Sequence, residues 1–440
     1  MRELSLDPRV AVVEPVYIRR PFRVPSDTHY LLQWNLKAVQ LEQAWDRTTG
    51  SASIVVAVLD TGIIPDHPDL KGRLVAGYDF VSDSLSADDG DGWDSDPRDN
   101  GTNASTSSQY HGTLIAGIIG ATSNNGQGIT GVDWSCKIQP IRVLGVHQGK
   151  GTDPDIAAGI RWAAGLPVPN APPNKTPAQV ICMPFGGPGH SNLLEQAIKD
   201  ARATGAVLVA AAGNNGGSVS GVYPAVAPGV VTVGATQLDG TRAPYSNYGP
   251  EVDIMAPGGN MAEKLPFMYQ SVAWSAGILS TSWETNDKKY IYVQDEGTSQ
   301  AAALVSGVIA LMLSADRALD PPTVLKILEQ TAGPASRCSE GCGAGLVNAA
   351  AALSGLPGAT ANGFPSMDGS FHPTLDGGAA QLNPDDESLP PRSGCACGVG
   401  NGDGTSGPLG LVLLVLMVGI HLRRRYPRQS LDRSHSSPMR

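Results

Sequence analysis

The strongest constraint on this chain is the placement of three polar residues at the ends of its apolar runs. Asp60 closes Ile54-Val55-Val56-Ala57-Val58-Leu59, His111 opens Gly112-Thr113-Leu114-Ile115-Ala116-Gly117-Ile118-Ile119, and Ser299 opens the run from Ala301 to Leu313. The first run is short and continuous rather than alternating, which predicts a parallel strand buried on both faces. The other two suit buried helices. An acid just past such a strand stands at the carboxyl edge of the sheet, where open α/β sheets gather their ligands. A serine at a helix N-terminus faces the positive end of the macrodipole, which favours developing negative charge. Together the three residue types make a complete device for acyl transfer. A hydroxyl is a poor nucleophile until an imidazole takes its proton, and a carboxylate fixes that imidazole's tautomer.

Each motif alone is weak, since Asp-Thr-Gly and Gly-Thr-Ser recur in unrelated settings. Their order and extensions carry the weight: Val58-Leu59-Asp60-Thr61-Gly62, then His111-Gly112-Thr113, then Gly297-Thr298-Ser299-Gln300-Ala301. Over roughly residues 28 to 354 the chain resembles the subtilisin-like serine peptidases, in which the set runs Asp, His, Ser. The resemblance implies a serine endopeptidase acting on protein or peptide substrates through an acyl-enzyme. Asp60, His111 and Ser299 would be its catalytic residues, and it would use no organic cofactor. Val207-Leu208-Val209-Ala210-Ala211-Ala212-Gly213-Asn214-Asn215-Gly216 resembles the family's oxyanion segment. By that match Asn214 is the side-chain donor and the Ser299 backbone N–H its partner. Asn215 is the competing assignment, and Gly-Asn-Asn-Gly is also good turn chemistry.

The resemblance also implies a peptide cleft walled by Gly149-Lys150-Gly151-Thr152 and Pro184-Phe185-Gly186-Gly187, with substrate added between them as a strand. Here the chain departs from its relatives, with Cys182-Met183-Pro184-Phe185 where they carry Asn-Met-Ser-Leu. Pro184 has no N–H but keeps its carbonyl, so pairing through that carbonyl is expected to survive. Phe185 is expected to reshape the S1 wall. Leu114 and Leu304 stand where the family has histidines, and are expected to pack against each other between the two helices. Gln300 replaces the usual methionine after the nucleophile and should resist oxidation.

Further strands are expected at Lys137–Leu144, Gln179–Cys182 and Val230–Gly234, alternating with helical stretches. That pattern predicts an α/β, three-layer fold with a mostly parallel central sheet and helices on both faces. Before His111 lies the dense carboxylate loop Asp88-Asp89-Gly90-Asp91-Gly92-Trp93-Asp94-Ser95-Asp96-Pro97-Arg98-Asp99. Oxygen ligands at alternating positions suit Ca²⁺, so Asp89, Asp91, Asp94, Asp96 and Asp99 form the expected pool of calcium ligands. A solvated acidic loop is the other reading, though so many carboxylates would repel one another without a cation.

The formal net charge of −10 argues against a nucleic-acid partner. Of the six cysteines, Cys136 and Cys182 are expected as buried free thiols. Cys338 and Cys342 are close enough for a small-loop disulfide in an exported chain. Residues 1–24 read either as a propeptide remnant, in which residues 9–17 resemble the last strand of the family's inhibitory propeptide, or as an N-terminal arm, ahead of a peptidase domain at 25–354. Residues 355–394 are Gly-, Pro- and Ser-rich and read as a flexible linker. At 395–425 a Cys-Ala-Cys motif precedes the apolar run Leu409–Ile420 and Arg423-Arg424-Arg425, with a disordered tail at 426–440. The run is shorter than the about 20 residues of a stable span, and the arginines predict a cytoplasmic C-terminus with the enzyme outside. The arrangement resembles the C-terminal sorting signals of myxobacterial surface proteins. It reads either as a transient membrane signal or as a permanent weak anchor. The expected protein is a monomer, secreted or on the cell surface. A non-catalytic binder on a degenerate peptidase fold would have lost one member of the set, and none is lost; a dedicated maturation peptidase with one substrate is the second rival.

Overall fold

The computed structural model describes residues 23–90, 92–102, 109–334 and 341–357. The chain divides into two compact units, Met1–Thr374 and Leu375–Arg440, and every described residue belongs to the first. The linker, Cys-Ala-Cys motif, apolar run and basic cluster expected beyond residue 357 lie outside the described residues, as does most of the N-terminal segment.

In chain order the strands are β1 (Val55–Asp60), β2 (Tyr78–Asp79), β3 (Lys137–Arg142), β4 (Val180–Met183), β5 (Gly187–Pro188), β6 (Val207–Ala211), β7 (Val222–Tyr223), β8 (Val231–Thr236), β9 (Ile254–Pro257), β10 (Asn260–Tyr269), β11 (Val272–Ala276), β12 (Ile278–Glu284) and β13 (Lys289–Asp295). The helices are α1 (Trp34–Ala38), α2 (Leu41–Trp45), α3 (Ser84–Ala87), α4 (His111–Gly120), α5 (Asp153–Ala163), α6 (Asn192–Ala203), α7 (Thr298–Ala315), α8 (Pro321–Thr331) and α9 (Ala349–Ser354).

Seven strands form one sheet in the order β2-β3-β1-β4-β6-β8-β9, and each pairing within it is parallel. Side chains alternate between its faces, and the two faces feed separate cores. Val56 and Val58 of β1 join one core with Leu114, Ile115, Ala301 and Leu304; Val55, Ala57 and Leu59 join the other with Ile156, Ala157, Leu194 and Ala197. Thus α4 and α7 cover one face and α5 and α6 the other, which is the three-layer α/β arrangement expected from the sequence. β1 is buried along its whole length, hence its unbroken apolar run. α7 is long and apolar enough to cross a membrane, yet 89% of it is buried inside the protein as a core helix.

From β1 the sheet grows in opposite directions, through β3 to one edge and through β4 to the other. The crevice at the carboxyl ends of β1 and β4 is therefore a topological switch point, the place where open parallel sheets bind ligands. Asp60 ends β1, Pro184 follows β4, and Asn214 lies three residues past β6. The segment at 260–295 forms two antiparallel hairpins, β10–β11 and β12–β13, and the second runs directly into α7.

Candidate active site

Asp60 is fully buried and its carboxylate meets His111 Nδ1 at 2.9 Å through Oδ1 and 2.7 Å through Oδ2. Oδ1 also accepts the Thr61 backbone N–H at 2.7 Å. The His111 side chain is 14% exposed. Burial pushes its pKa down, but the Asp60 charge and hydrogen bond outweigh that, with Asp295 and Asp99 adding to them, and lift it from 6.5 to about 9. The imidazolium is thus the state this pocket favours, as a carboxylate paired to Nδ1 should make it.

α4 begins at His111 without a side-chain cap from Tyr110. Its first free N–H groups are satisfied from elsewhere: Gly112 N–H donates to Thr61 Oγ1 at 3.0 Å, and Thr113 N–H to Asp99 Oδ2 at 3.4 Å. On the far side, Ser280 and Thr281 of β12 donate their hydroxyls to the carbonyls of Leu114 at 2.6 Å and Thr113 at 2.7 Å. Gly117 permits that approach, since a Cβ there would lie 2.3 Å from Thr281 Oγ1. Leu114 and Leu304 are both fully buried in the same core, on helices that pack together.

Ser299 lies in the first turn of α7, but its hydroxyl donates to the Pro184 carbonyl at 2.6 Å. That carbonyl, expected from the sequence to hold substrate, is occupied here by the serine itself. Asn214 accepts through Oδ1 from Thr298 N–H at 2.9 Å and from the Thr298 hydroxyl at 2.8 Å. Because the amide oxygen is tied to α7, Nδ2 is the free end, and it is a donor. Asn215 offers its backbone N–H to Asn247 Oδ1 at 3.0 Å instead. Asn247 also accepts from Gly217 N–H at 3.1 Å and donates to the Ala212 carbonyl at 3.0 Å, so it organises the turn that presents Asn214. Neither Asn247 nor Thr298 stood out in the sequence; Thr298 lay inside a motif whose weight fell on the serine.

Of the segments expected to wall the cleft, Gly149 takes a φ of 62°, and a Cβ at Gly151 would lie 2.2 Å from the Val143 carbonyl. These two glycines are required by the backbone. On the other wall, Phe185 is half-sunk against the second core, and a Cβ at Gly186 would meet Val222 Cγ1 at 2.9 Å. Cys136 and Cys182 are buried free thiols, and Cys342 is disulfide-bonded; Cys338 lies outside the described residues. Gln300 is buried, its Oε1 without a hydrogen-bond partner.

The acidic loop differs from expectation. Asp89 pairs with Arg142 at 2.7 Å, and the same guanidinium nitrogen holds Asp79 at 2.7 Å. Asp94 and Asp96 accept backbone N–H groups two residues ahead, at 2.8 Å and 3.2 Å. Asp99 is buried, with its carboxylate on the Thr113 hydroxyl at 2.9 Å. Asp91 lies outside the described residues. Among the described residues no three His, Cys, Asp or Glu side chains are grouped to hold a metal ion. Of the carboxylates expected to share one calcium, Asp89 is paired with an arginine from β3, and Asp94, Asp96 and Asp99 accept from nearby N–H and O–H groups.

Residues 51–345 match the subtilase family of peptidases. An extracellular protease of Xanthomonas campestris is 40% identical over 80% of this chain, and an extracellular basic protease of Dichelobacter nodosus 36% identical over 81%. The chain spans 60% of the length of each. Thermitase of Thermoactinomyces vulgaris is 32% identical over 74% of this chain and 97% of its own length. Among solved structures, a protease from Pseudoalteromonas arctica superposes with a TM-score of 0.69 at 40% identity, covering 76% of this chain and 99% of its own.

Proposed function

The chain belongs to the subtilase family of serine peptidases, and on that premise we propose that it is an endopeptidase using Asp60, His111 and Ser299. The observation that carries the reading is the Asp60–His111 pair, in which both carboxylate oxygens meet Nδ1; Ser299 stands in the first turn of α7, the helix packed against the one that His111 opens. In the reaction, Ser299 turns from the Pro184 carbonyl toward His111 Nε2, which takes the hydroxyl proton as Oγ attacks the scissile carbonyl. Asp60 holds Nδ1–H and stabilises the imidazolium that forms. The oxyanion accepts from Asn214 Nδ2 and the Ser299 backbone N–H. His111 then returns the proton to the leaving amine, and water repeats the sequence to free the acid.

Substrate is an extended polypeptide lying between Gly149–Gly151 and Pro184–Gly186. The relatives named extracellular proteases support a secreted enzyme, and we take it to work as a monomer. In this reading the run Leu409–Ile420 serves surface display, and no step passes through calcium. Treating the full chain with a fluorophosphonate probe and mapping the adduct by mass spectrometry tests the proposal. Labelling of Ser299 that disappears in His111→Ala is the expected result. A folded wild type that never labels would overturn it.

A further inference from the structure

Asp99 takes no part in the reaction just described, yet it is a buried carboxylate, 1% exposed, set behind the Asp60–His111 pair. Its Oδ1 accepts Gly101 N–H at 3.1 Å, and its own N–H donates to the Ile63 carbonyl at 3.3 Å. Its Oδ2 accepts the Thr113 hydroxyl at 2.9 Å and the Thr113 N–H at 3.4 Å. Thr113 relays the tie onward, and Thr61 joins the same two segments by a bond of its own. Thr61 Oγ1 accepts Gly112 N–H at 3.0 Å from the first turn of α4, and Thr113 Oγ1 accepts Ile64 N–H at 3.0 Å from the loop after β1.

The two threonines sit next to the two paired residues: Thr61 follows Asp60, and Thr113 is two past His111. One carboxylate therefore laces the segment that carries Asp60 to the helix turn that carries His111, and supplies the cap that Tyr110 does not. Burying a carboxylate beside a second one is costly, and burial with the Asp60 charge lifts the Asp99 pKa to about 7. A fold that needed only a helix cap could use a neutral side chain at this place.

We propose that Asp99 is a positioning residue for peptide hydrolysis, which through Thr113 fixes the His111 imidazole against Asp60. The proposal rests on the peptidase reading above. It predicts that the variant Asp99→Asn in the full chain lowers kcat by about 10–100-fold with KM unchanged, because a misplaced base weakens the transition state and not substrate binding. The downfield Nδ1 proton resonance of His111 should shift or broaden. Asp60, Asp99 and Asp295 are the charges that raise His111, so the rising limb of kcat/KM should move to lower pH.

A second variant, Thr113→Val, keeps the carboxylate and removes the relay. It should lower kcat in the same direction, and the double variant should lose less than the sum of the singles. A folded Asp99→Asn protein with wild-type kcat and an unmoved Nδ1 resonance would overturn the inference. If Asp99→Asn does not fold, wild-type kcat in Thr113→Val would do so. Failure of the wild type to label with fluorophosphonate would instead sink the peptidase reading, so the two failures are distinguishable.

Discussion

The two halves of the candidate site are held in different ways. The histidine half is closed: Asp60 grips His111 with both oxygens, and the turn behind it is tied by Thr61, Thr113, Ser280 and Thr281. The nucleophile half is open, with Ser299 on the Pro184 carbonyl and the Asn214 amide oriented by Thr298. In the proposed reaction the base is already held in place, while Ser299 must leave the Pro184 carbonyl before it can react. Preorganisation is thus spent where charge is stored, and freedom is kept where a bond is made.

Removing the nucleophile breaks the open half. Ser299→Ala should lower kcat by about 10⁴–10⁶-fold while peptide still binds, which active-site titration and inhibitor binding would check. A loss below tenfold would mean that another group attacks. Asn214→Ala should cost about 10²–10³ in kcat with little change in KM. If KM rose and kcat held, Asn214 would be gripping substrate instead.

The closed half is tested by pH. His111 must be neutral to act as base, and its pKa is raised from 6.5 to about 9. Below that value kcat/KM should climb about tenfold per pH unit and level off on the alkaline side. The sign for stability is opposite: the charged pair contributes fully below 6.5, and its contribution is lost as pH rises through about 9. A rising limb centred near 6 would show that Asp60 holds the ring without stabilising its charge. The smallest effect is expected for Pro184→Ala, which keeps the carbonyl. Activity should stay within about a factor of ten, the worth of one hydrogen bond.

Much of this was legible in the sequence because the informative residues sit at the ends of long apolar runs. β1, α4 and α7 follow from their apolar runs, while Asp60, His111 and Ser299 were singled out by the order of their motifs and the resemblance to a peptidase family. The partners of the acidic loop were not legible, for the opposite reason. Its spacing looked like a ligand set, but the countercharge for Asp89 is Arg142, 53 residues away on β3, and Asp99 turns inward to Thr113. Short-range pattern carries no information about which strand passes behind a loop. The Ser299–Pro184 contact was hidden likewise, since a backbone carbonyl has no letter of its own.

The division of β1 between two cores has a mechanical consequence. Val56 and Val58 face one layer while Val55, Ala57 and Leu59 face the other, and Asp60 pairs in register with Arg142. A slip of one residue would send each of these side chains to the wrong layer and carry Asp60 away from His111. The strand thereby works as a gauge: two independently packed interiors must agree on its position before the acid reaches the imidazole, so errors in folding are read out as loss of the site rather than as a weakened version of it.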